Sequence, residues 1–308
     1  MNVFFIDKVH PVLQERLVRN GFDCIDATHF SMDDLLQRKN EVQGIVIRAR
    51  FFLNTEFLSN FPNLSFIARS GSGLENIDAA YCKANQIQLF NSPEGNRNAV
   101  AEHALGMLLA LMNKLCKANE QINRGIWKRE ENRGEELDGK TVGIIGYGNN
   151  GAAFAKKLRG FDVKVLAYDK YRSDFGDDCV QETDLNQIQQ QADIVSLHLP
   201  LTAETTGLVD ANWIQSFAKP IWLINTSRGS ITPLAPLIAE LESGRLRGVA
   251  LDVLPREPLA GYSAAEQQEF DALCAFESVI ITPHIAGYSQ ESPERMARVL
   301  LEKLGSVS

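Results

Sequence analysis

The amino-terminal third of the chain alternates short apolar runs with amphipathic segments. Residues 3–6, 44–48 and 64–68 are largely apolar and rich in β-branched or aromatic side chains, as buried strands are. Residues 11–20 and 31–38 repeat apolar positions at the spacing of a helix. This alternation predicts an α/β domain built on a parallel sheet.

The same pattern returns after residue 140, with strands that each end in a polar side chain. The predicted strands cover residues 141–145, 163–168, 193–199, 221–226, 249–253 and 279–282. Helices are predicted around 184–190 and 210–217, and a last one over 293–304. Ligands of open parallel sheets bind at the carboxyl ends of the strands, so these polar residues are candidates for a binding site.

The longest helical pattern covers residues 98–123, with apolar residues on nearly every face of its first part. Such a helix must be widely buried, which predicts a place between domains and against a second subunit. Glu102 and His103 are interpreted as a polar pair that holds the start of the helix. Residues 125–140 lose the periodicity and are interpreted as a solvated connector.

The composition of the chain mainly excludes certain classes of partner and location. The chain has 308 residues, 44% of them hydrophobic, which suggests two domains with sizeable cores. A formal charge of −8 and a pI near 5.3 argue against nucleic acid or an anionic membrane as principal partner. No apolar run reaches membrane-spanning length, and the first residues do not resemble a signal peptide. Five scattered cysteines fit reduced thiols, so we expect a cytoplasmic protein, and no residue is assigned to a metal.

A glycine-rich turn follows the strand at 141–145. Gly146, Gly148 and Gly151 stand at Gly-x-Gly-x-x-Gly spacing and lead into a helix. The first glycine permits the tight turn, the second lets the backbone approach a pyrophosphate, and the third lets helix and strand pack closely. The helix amino terminus favours an anion without any basic side chain. The stretch predicts a dinucleotide site.

Asp169 closes the next strand, about 20 residues after the glycines, where a carboxylate can accept hydrogen bonds from both ribose hydroxyls. This predicts NAD as the cofactor. A 2′-phosphate at this position would meet like charge, at up to ~4 kcal/mol per charge pair at 4 Å and an effective dielectric near 20. Lys170 and Arg172 could soften that repulsion but are interpreted as parts of a solvated loop.

Arginines end two of the amino-terminal strands. Arg48 and Arg69 would lie together at the edge of a parallel sheet and could grip a phosphate or a carboxylate. Residues 70–73, Ser-Gly-Ser-Gly, follow Arg69 and precede a helix expected to begin near Leu74. Successive backbone N–H groups there could form an anion nest, although a tight structural turn also explains the glycines.

Three later strand ends carry groups that suit hydride transfer between a nicotinamide and a hydroxyl-bearing carbon. His284 is the candidate acid/base, because imidazole titrates near neutral pH. Glu257 is the candidate carboxylate that would fix its tautomer and stabilise the imidazolium. Arg228 could hold a substrate carboxylate and polarise the adjacent carbonyl. Taken singly, each residue has an ordinary structural or solvated explanation.

The motifs GYGNNG, NTSRG, LDVLPREP and TPHIAG, in this order, resemble those of the D-isomer-specific 2-hydroxyacid dehydrogenase family. The segments ARSGSGLENID and NAVAEHALG also match, so the resemblance covers nearly the whole chain. It implies two doubly wound α/β domains, with a Rossmann NAD-binding domain (98–284) inserted into a flavodoxin-like substrate domain (1–97 and 285–308). The helix at 98–123 would be the arm of a homodimer.

The resemblance also assigns residues to roles. Arg228, Glu257 and His284 take the catalytic roles, and the backbone of Ser72 and Gly73 would bind the substrate carboxylate. The cofactor contacts that it implies are Gly146, Gly148, Asn149, Asn150, Gly151, Asp169, His198, Pro200, Thr205, Thr226, Asp252 and Gly287.

The substrate implied is a small D-2-hydroxy acid or 2-keto acid. Arg48 and Arg69 fall where phosphoglycerate dehydrogenases place phosphate-binding arginines, so we expect oxidation of 3-phosphoglycerate, a step of serine biosynthesis. Reduction of glyoxylate or hydroxypyruvate is the close alternative. A non-catalytic NAD-responsive protein, like the corepressors of the family, is the alternative from another class. Formate dehydrogenase relatives are disfavoured because they carry Gln at the position of Glu257.

Two features depart from the family pattern. Asn150 stands before Gly151 where an apolar residue is usual, which puts the local packing in question. Residues 261–273 are expected to lengthen the loop before the last strand. The chain stops at Ser308, so a carboxyl-terminal regulatory domain, and feedback by serine through it, is not expected.

Overall fold

The computed structural model describes residues 1–305. The chain forms two compact units. Unit 1 contains Met1–Arg97 and the segment that begins at Tyr288, and unit 2 contains Asn98–Gly287. The second change of unit thus falls after Gly287, whereas the family resemblance implied a boundary near residue 284.

Unit 1 is a parallel five-stranded sheet with helices on both faces. Its elements are β1 (Asn2–Phe5), α1 (Pro11–Arg19), β2 (Asp23–Asp26), α2 (Met32–Gln37), β3 (Gly44–Ile47), α3 (Thr55–Leu58), β4 (Phe66–Arg69), α4 (Ala79–Ala84), β5 (Gln88–Asn91) and α12 (Ser292–Leu304). The strand order β2-β1-β3-β4-β5 is that of flavodoxin-like folds.

The apolar runs of unit 1 are continuous because both faces of the sheet are covered. Phe4 and Ile45 pack into the core on one face. Their neighbours Val3 and Val46 pack into the core on the other, together with Leu300 of α12. Alternate side chains of one strand thus enter different cores, as doubly wound sheets require.

Unit 2 is built on a parallel seven-stranded sheet. Its elements are α6 (Leu115–Asn123), β6 (Thr141–Ile145), α7 (Asn149–Leu158), β7 (Lys164–Tyr168), β8 (Gln181–Glu182), α8 (Leu185–Gln191), β9 (Ile194–Leu197), α9 (Ala211–Gln215), β10 (Ile221–Asn225), α10 (Leu234–Glu242), β11 (Leu246–Leu251), α11 (Ala264–Cys274) and β12 (Val279–Ile281). The order β12-β11-β10-β9-β6-β7-β8 reverses direction next to β6, as in Rossmann sheets. The predicted fold class is confirmed.

The predicted helix at 98–123 is wrong as a single element. Helix α5 (Pro93–Met112) starts in unit 1 and continues into unit 2, and α6 follows at an angle of 63°. Lys114 between them adopts a left-handed φ of 53°. Among the described residues no single helix is long and apolar enough to cross a membrane, and α5 and α6 meet that test only when taken together.

Two further predictions need correction. No helix begins near Leu74, because the residues after Gly73 form a turn and α4 starts at Ala79. Residues 261–273 are not simply a longer loop, since most of them belong to α11. Ser263 caps that helix with a reciprocal pair of bonds to Glu266, a capping box that the letters Ser-x-x-Glu could have revealed. The pattern also missed α10 and β5.

Candidate active site

His284 and Glu257 form the central pair of the candidate site in unit 2. They follow β12 and β11, which are neighbours in the sheet, and His284 Nδ1 lies 2.7 Å from Glu257 Oε2. The hydrogen bond to Glu257 raises the pKa of His284, although burial acts against it. For Glu257, burial is the largest influence and acts to raise the pKa. The bonds from His284 and from the Leu254 N–H together outweigh it, so the pKa is lowered.

The backbone at His284 is held in an unusual conformation by a buried carboxylate. His284 has a φ of 55°, in the left-handed region. Asp252, 1% exposed, accepts hydrogen bonds from the N–H groups of Ile285 at 2.8 Å and Ala286 at 2.7 Å. The Thr282 hydroxyl donates to the same carboxylate at 2.5 Å. Asp252, expected to contact the cofactor, therefore shapes the loop of the candidate acid/base.

His103 joins this network from helix α5. Its Nε2 lies 3.0 Å from the Thr282 hydroxyl and 3.5 Å from Asp252. Glu102 points elsewhere and binds Asn98 and Lys157. The interpretation of Glu102 and His103 as one helix-start pair is thus corrected, because the two side chains have separate partners. Thr282 was missed, although it is the first letter of the TPHIAG motif.

Arg228 lies on the loop that follows β10, the next strand of the sheet. Its Nη1 donates to the Ser227 carbonyl at 2.7 Å, and its charge helps to lower the pKa of Glu257. Asn225, fully buried, shapes this loop by donating to the Arg228 carbonyl at 3.0 Å and accepting from the Ser227 N–H at 2.9 Å. A β-carbon at Gly229 would collide with the backbone of Leu254, so the loops that carry Arg228 and Glu257 pack directly on each other.

The glycine-rich turn has the geometry expected of a pyrophosphate-binding loop. Gly146 has a φ of 94°, and a β-carbon there would strike the His198 carbonyl. A β-carbon at Gly151 would strike the Gly146 carbonyl. At Gly148, the residue that precedes α7, a β-carbon would meet no atom within 4 Å. Close packing thus requires two of the glycines, and the third leaves open space at a helix amino terminus.

Asp169 is bound to the backbone on both sides of its carboxylate. One oxygen accepts from the Tyr147 N–H at 2.8 Å, and the other accepts from the N–H groups of Tyr171 at 2.9 Å and Arg172 at 3.1 Å. Arg172 is not simply solvated as expected, because its Nη1 donates to the Tyr147 carbonyl at 2.6 Å. Lys170 is exposed and pairs with Glu204.

Buried polar atoms without partners, at the start of α7 and after the neighbouring strands β9 and β10, fit a bound dinucleotide. Within the described chain, nothing pairs with Asn150 Oδ1, His198 Nδ1 or Thr226 Oγ1, all of which are buried. Burial lowers the pKa of His198 to about 4, so its ring is neutral at physiological pH. A ligand that offers donors and acceptors would satisfy such atoms. The residues present are therefore compatible with NAD.

The remaining predicted cofactor residues lie at the start of α7, in a turn, and at the end of unit 2. Asn149 is the first residue of α7. Pro200 and Thr205 belong to one turn, in which the Thr205 hydroxyl donates to the Pro200 carbonyl at 2.7 Å. Gly287 is the last residue of unit 2.

The predicted substrate residues all belong to unit 1. Arg48 and Arg69 follow β3 and end β4, and Arg69 Nε donates to the Arg48 carbonyl at 3.1 Å. Arg69 also lies over Gly71, where a β-carbon would collide with its guanidinium. The Ser72 hydroxyl donates to Asn96 at 2.9 Å. Among the described residues, nothing accepts a hydrogen bond from the N–H groups of Ser72 and Gly73.

Comparison with known proteins identifies the family. Residues 105–286 match the family model of the D-isomer specific 2-hydroxyacid dehydrogenase, NAD binding domain. The hydroxypyruvate reductase of Thermotoga maritima is 31% identical over 91% of this chain and 89% of its own length. The D-3-phosphoglycerate dehydrogenase of Archaeoglobus fulgidus is 28% identical over 99% of this chain and 56% of its own length.

A solved structure agrees over the whole chain. The D-lactate dehydrogenase of Aquifex aeolicus, complexed with NAD and lactic acid, is 27% identical with a TM-score of 0.82 over 100% of this chain and 96% of its own. By contrast, the chain spans about half the length of the curated phosphoglycerate dehydrogenases that it matches. The predicted family, enzyme class and cofactor are confirmed. This chain belongs to the D-isomer specific 2-hydroxyacid dehydrogenase family, whose members are NAD-dependent oxidoreductases acting on the CH–OH group of 2-hydroxy acids.

Proposed function

We propose that the protein oxidises 3-phosphoglycerate to 3-phosphohydroxypyruvate with NAD, in the cytoplasm, as a step of serine biosynthesis. The observation that carries the reaction is the contact of 2.7 Å between His284 Nδ1 and Glu257 Oε2. The observation that carries the phosphorylated substrate is the cationic strand end of unit 1, where Arg48 and Arg69 meet.

His284 is proposed as the acid/base. Its Nδ1 is bound to Glu257, so its Nε2 is the atom that exchanges a proton with the substrate hydroxyl. During oxidation Nε2 takes that proton, and the Glu257 carboxylate stabilises the resulting imidazolium through Nδ1. NAD, when bound, supplies the hydride acceptor. In the reverse direction the imidazolium returns its proton to the carbonyl oxygen.

Arg228 is proposed to orient the substrate by its carboxylate. A guanidinium offers a planar fork of donors that matches a carboxylate, and its positive charge also polarises the neighbouring carbonyl. The packing of its loop on the backbone of Leu254, in the loop that carries Glu257, supports a place beside the catalytic pair.

Unit 2 is proposed to hold NAD by its glycine-rich turn and the neighbouring strand ends. The N–H groups at the start of α7 would bind the pyrophosphate, and Asp169 would accept from the ribose hydroxyls. The buried orphan atoms of Asn150, His198 and Thr226 support contacts at these positions. The further contacts proposed from the family pattern are Asn149, Pro200, Thr205, Asp252 and Gly287.

Unit 1 is proposed as the substrate-binding domain. The N–H groups of Ser72 and Gly73 would bind the substrate carboxylate, because no described residue accepts from them. Arg48 and Arg69 would bind the phosphate.

Reduction of glyoxylate or hydroxypyruvate is the second candidate. It is favoured by relatives whose names state those activities, the hydroxypyruvate reductase of Thermotoga maritima and the glyoxylate reductase of Thermofilum pendens, which are 31% and 32% identical. A panel of 2-keto acids, followed by NADH absorbance, separates the candidates. If hydroxypyruvate is reduced as efficiently as 3-phosphohydroxypyruvate, the phosphorylated substrate is rejected.

A homodimer through residues 98–123 is also proposed. Leu115 and Ile122, seven residues apart on α6, are 55% and 52% exposed, and Trp127 beyond the helix is 78% exposed. Large apolar side chains exposed at the surface are typical of a subunit interface. Light scattering should give twice the chain mass, and Ile122→Glu should lower it, whereas Val18→Glu, at a site 53% exposed in unit 1, should not.

A further inference from the structure

Tyr288 is a residue that neither the sequence pattern nor the family motifs assign to any role. It is the first residue of the segment that returns to unit 1, and its side chain is 72% exposed. Its hydroxyl accepts a hydrogen bond from Arg48 Nη2 at 3.0 Å. The Arg48 guanidinium carbon also lies 5.6 Å from the centre of the Tyr288 ring. Two kinds of contact therefore fix one arginine against one tyrosine within unit 1.

Within the described part of the chain, the charge of Arg48 is not neutralised by a carboxylate. No carboxylate among residues 1–305 lies within ion-pair distance of its guanidinium. The nearby carboxylate of Asp7 instead accepts from the backbone N–H groups of residues 48, 49 and 50, at 2.7, 2.9 and 3.1 Å. A guanidinium held by a neutral phenol keeps its full charge and several donors for a ligand.

The other arginines of this region are used differently. Arg50 donates to the carbonyls of Thr28 at 2.6 Å and Ile6 at 3.2 Å. It therefore connects the segments that follow the neighbouring strands β2 and β1. Arg69 donates to the Arg48 carbonyl and lies over Gly71. Its contacts hold the backbone of Arg48 in place, whereas the guanidinium of Arg48 itself is bound to a tyrosine hydroxyl.

Hydrogen bonds hold the backbone at Arg48 and next to Tyr288. The backbone of Arg48 is fixed by Asp7 at its N–H and by Arg69 at its carbonyl. Beyond Tyr288, the Ser289 hydroxyl accepts from the N–H of Ser292 at 3.1 Å, and Ser292 is 1% exposed at the start of α12. Tyr288 is thus anchored next to a helix packed into the core of unit 1.

The phenol of Tyr288 can bind an anion while it is bound to Arg48. A phenolic oxygen that accepts from Arg48 still has its own O–H to donate. An anion at this position would receive donors from both side chains, and its contact with the guanidinium would be charge-assisted. Phenylalanine at 288 would keep the ring contact but lose both the hydrogen bond that fixes the arginine and the extra donor.

We propose that Tyr288 determines specificity for the phosphorylated end of the substrate, by fixing Arg48 and by donating its own hydroxyl proton to the phosphate. This inference rests on the proposed function, because it takes the phosphate ester from there. Tyr288 acts on binding of the distal group and takes no part in proton or hydride transfer.

A binding measurement tests the inference separately from turnover. Calorimetry in saturating NADH, where 3-phosphoglycerate forms a complex that cannot react, compares its Kd with that of D-glycerate. Tyr288→Phe should raise the Kd of 3-phosphoglycerate about tenfold and leave that of D-glycerate within about twofold. Tyr81→Phe, the same change on helix α4 of unit 1, should alter neither.

Coupling to Arg48 provides the second measurement. In an Arg48→Ala background, Tyr288→Phe should weaken 3-phosphoglycerate by a smaller factor than in the parent protein, because the residue to be fixed is gone and only the donor of the phenol is lost. Equal weakening of both ligands by Tyr288→Phe, or equal affinity of the parent protein for both, would overturn the inference. The binding result and the turnover result test different proposals. If 3-phosphoglycerate binds tightly and its binding depends on Tyr288, but the protein does not oxidise it, the proposed reaction is rejected and the proposed binding site is retained.

Discussion

Asp252 is linked to His284 through the backbone, since its carboxylate accepts from the N–H groups of the two residues that follow the histidine. Asp252→Asn should therefore damage the site without touching the imidazole. An amide has one acceptor oxygen in place of two, so one buried N–H loses its partner, at about 1–3 kcal/mol. We expect a lower free energy of unfolding in urea by that amount and a lower kcat. Asp271→Asn, an exposed change on α11, serves as the control, and identical behaviour of the two variants would contradict the link.

Removal of the imidazole tests the acid/base assignment. His284→Asn should lower kcat about 10²- to 10⁴-fold, roughly 3 to 5 kcal/mol in the barrier, because no group remains to exchange the hydroxyl proton. Steady-state rates followed by the absorbance of NADH measure this. His29→Asn, at an exposed histidine of unit 1, should leave kcat unchanged. A parental rate in the His284 variant would remove this residue from the mechanism.

The pH dependence of reduction should report the contact between His284 and Glu257. Reduction needs the protonated imidazole, so its rate falls as pH rises through the pKa of His284, which the bond to Glu257 places above its usual value. Glu257→Gln removes the negative charge that favours the imidazolium, so this pKa should fall and the decline should begin at lower pH. The measurement is kcat/KM for a keto acid against pH, in parent and variant. A decline that stays in place, or moves to higher pH, would be inconsistent with the pairing.

Two glycines of the same turn offer a matched comparison. A β-carbon at Gly151 meets the Gly146 carbonyl, so Gly151→Ala should destabilise the fold by about 1–3 kcal/mol. A β-carbon at Gly148 meets nothing in the protein, so Gly148→Ala should leave unfolding nearly unchanged and raise the KM for NAD. Urea unfolding and NAD titration of both variants decide this. If Gly148→Ala binds NAD normally, the open space there is not used by the pyrophosphate.

Local signals in the sequence were sufficient for the first strand and for the glycine-rich turn of the cofactor domain. Residues 141–145 were predicted as a strand and form β6 with the same bounds, because a β-branched run that ends at glycine has few alternative conformations. The order of the motifs along the chain was also sufficient for the central pair. Parallel strands that are neighbours in the sheet carry His284 and Glu257 at the same edge.

Features that depend on distant contacts could not be read from local patterns. The break after α5 is one of them: the Glu135 N–H donates to the Met112 carbonyl at 3.0 Å, and Gly134 packs against Asn113. Helical periodicity continues through Lys114, so the local pattern does not reveal the bend, whereas these contacts with later residues lie at it. The contact of His103 with Thr282 joins positions 179 residues apart, so no local rule could have linked them.

The close packing of Gly229 on the backbone of Leu254 has a consequence for protein engineering. The loops that bear Arg228 and Glu257 share one surface with no room for a single added carbon. Grafting either loop alone from a relative would leave it poorly packed against the other loop. Libraries that exchange residues 226–231 and 252–258 as one block should therefore yield more folded, active members than libraries that exchange them independently.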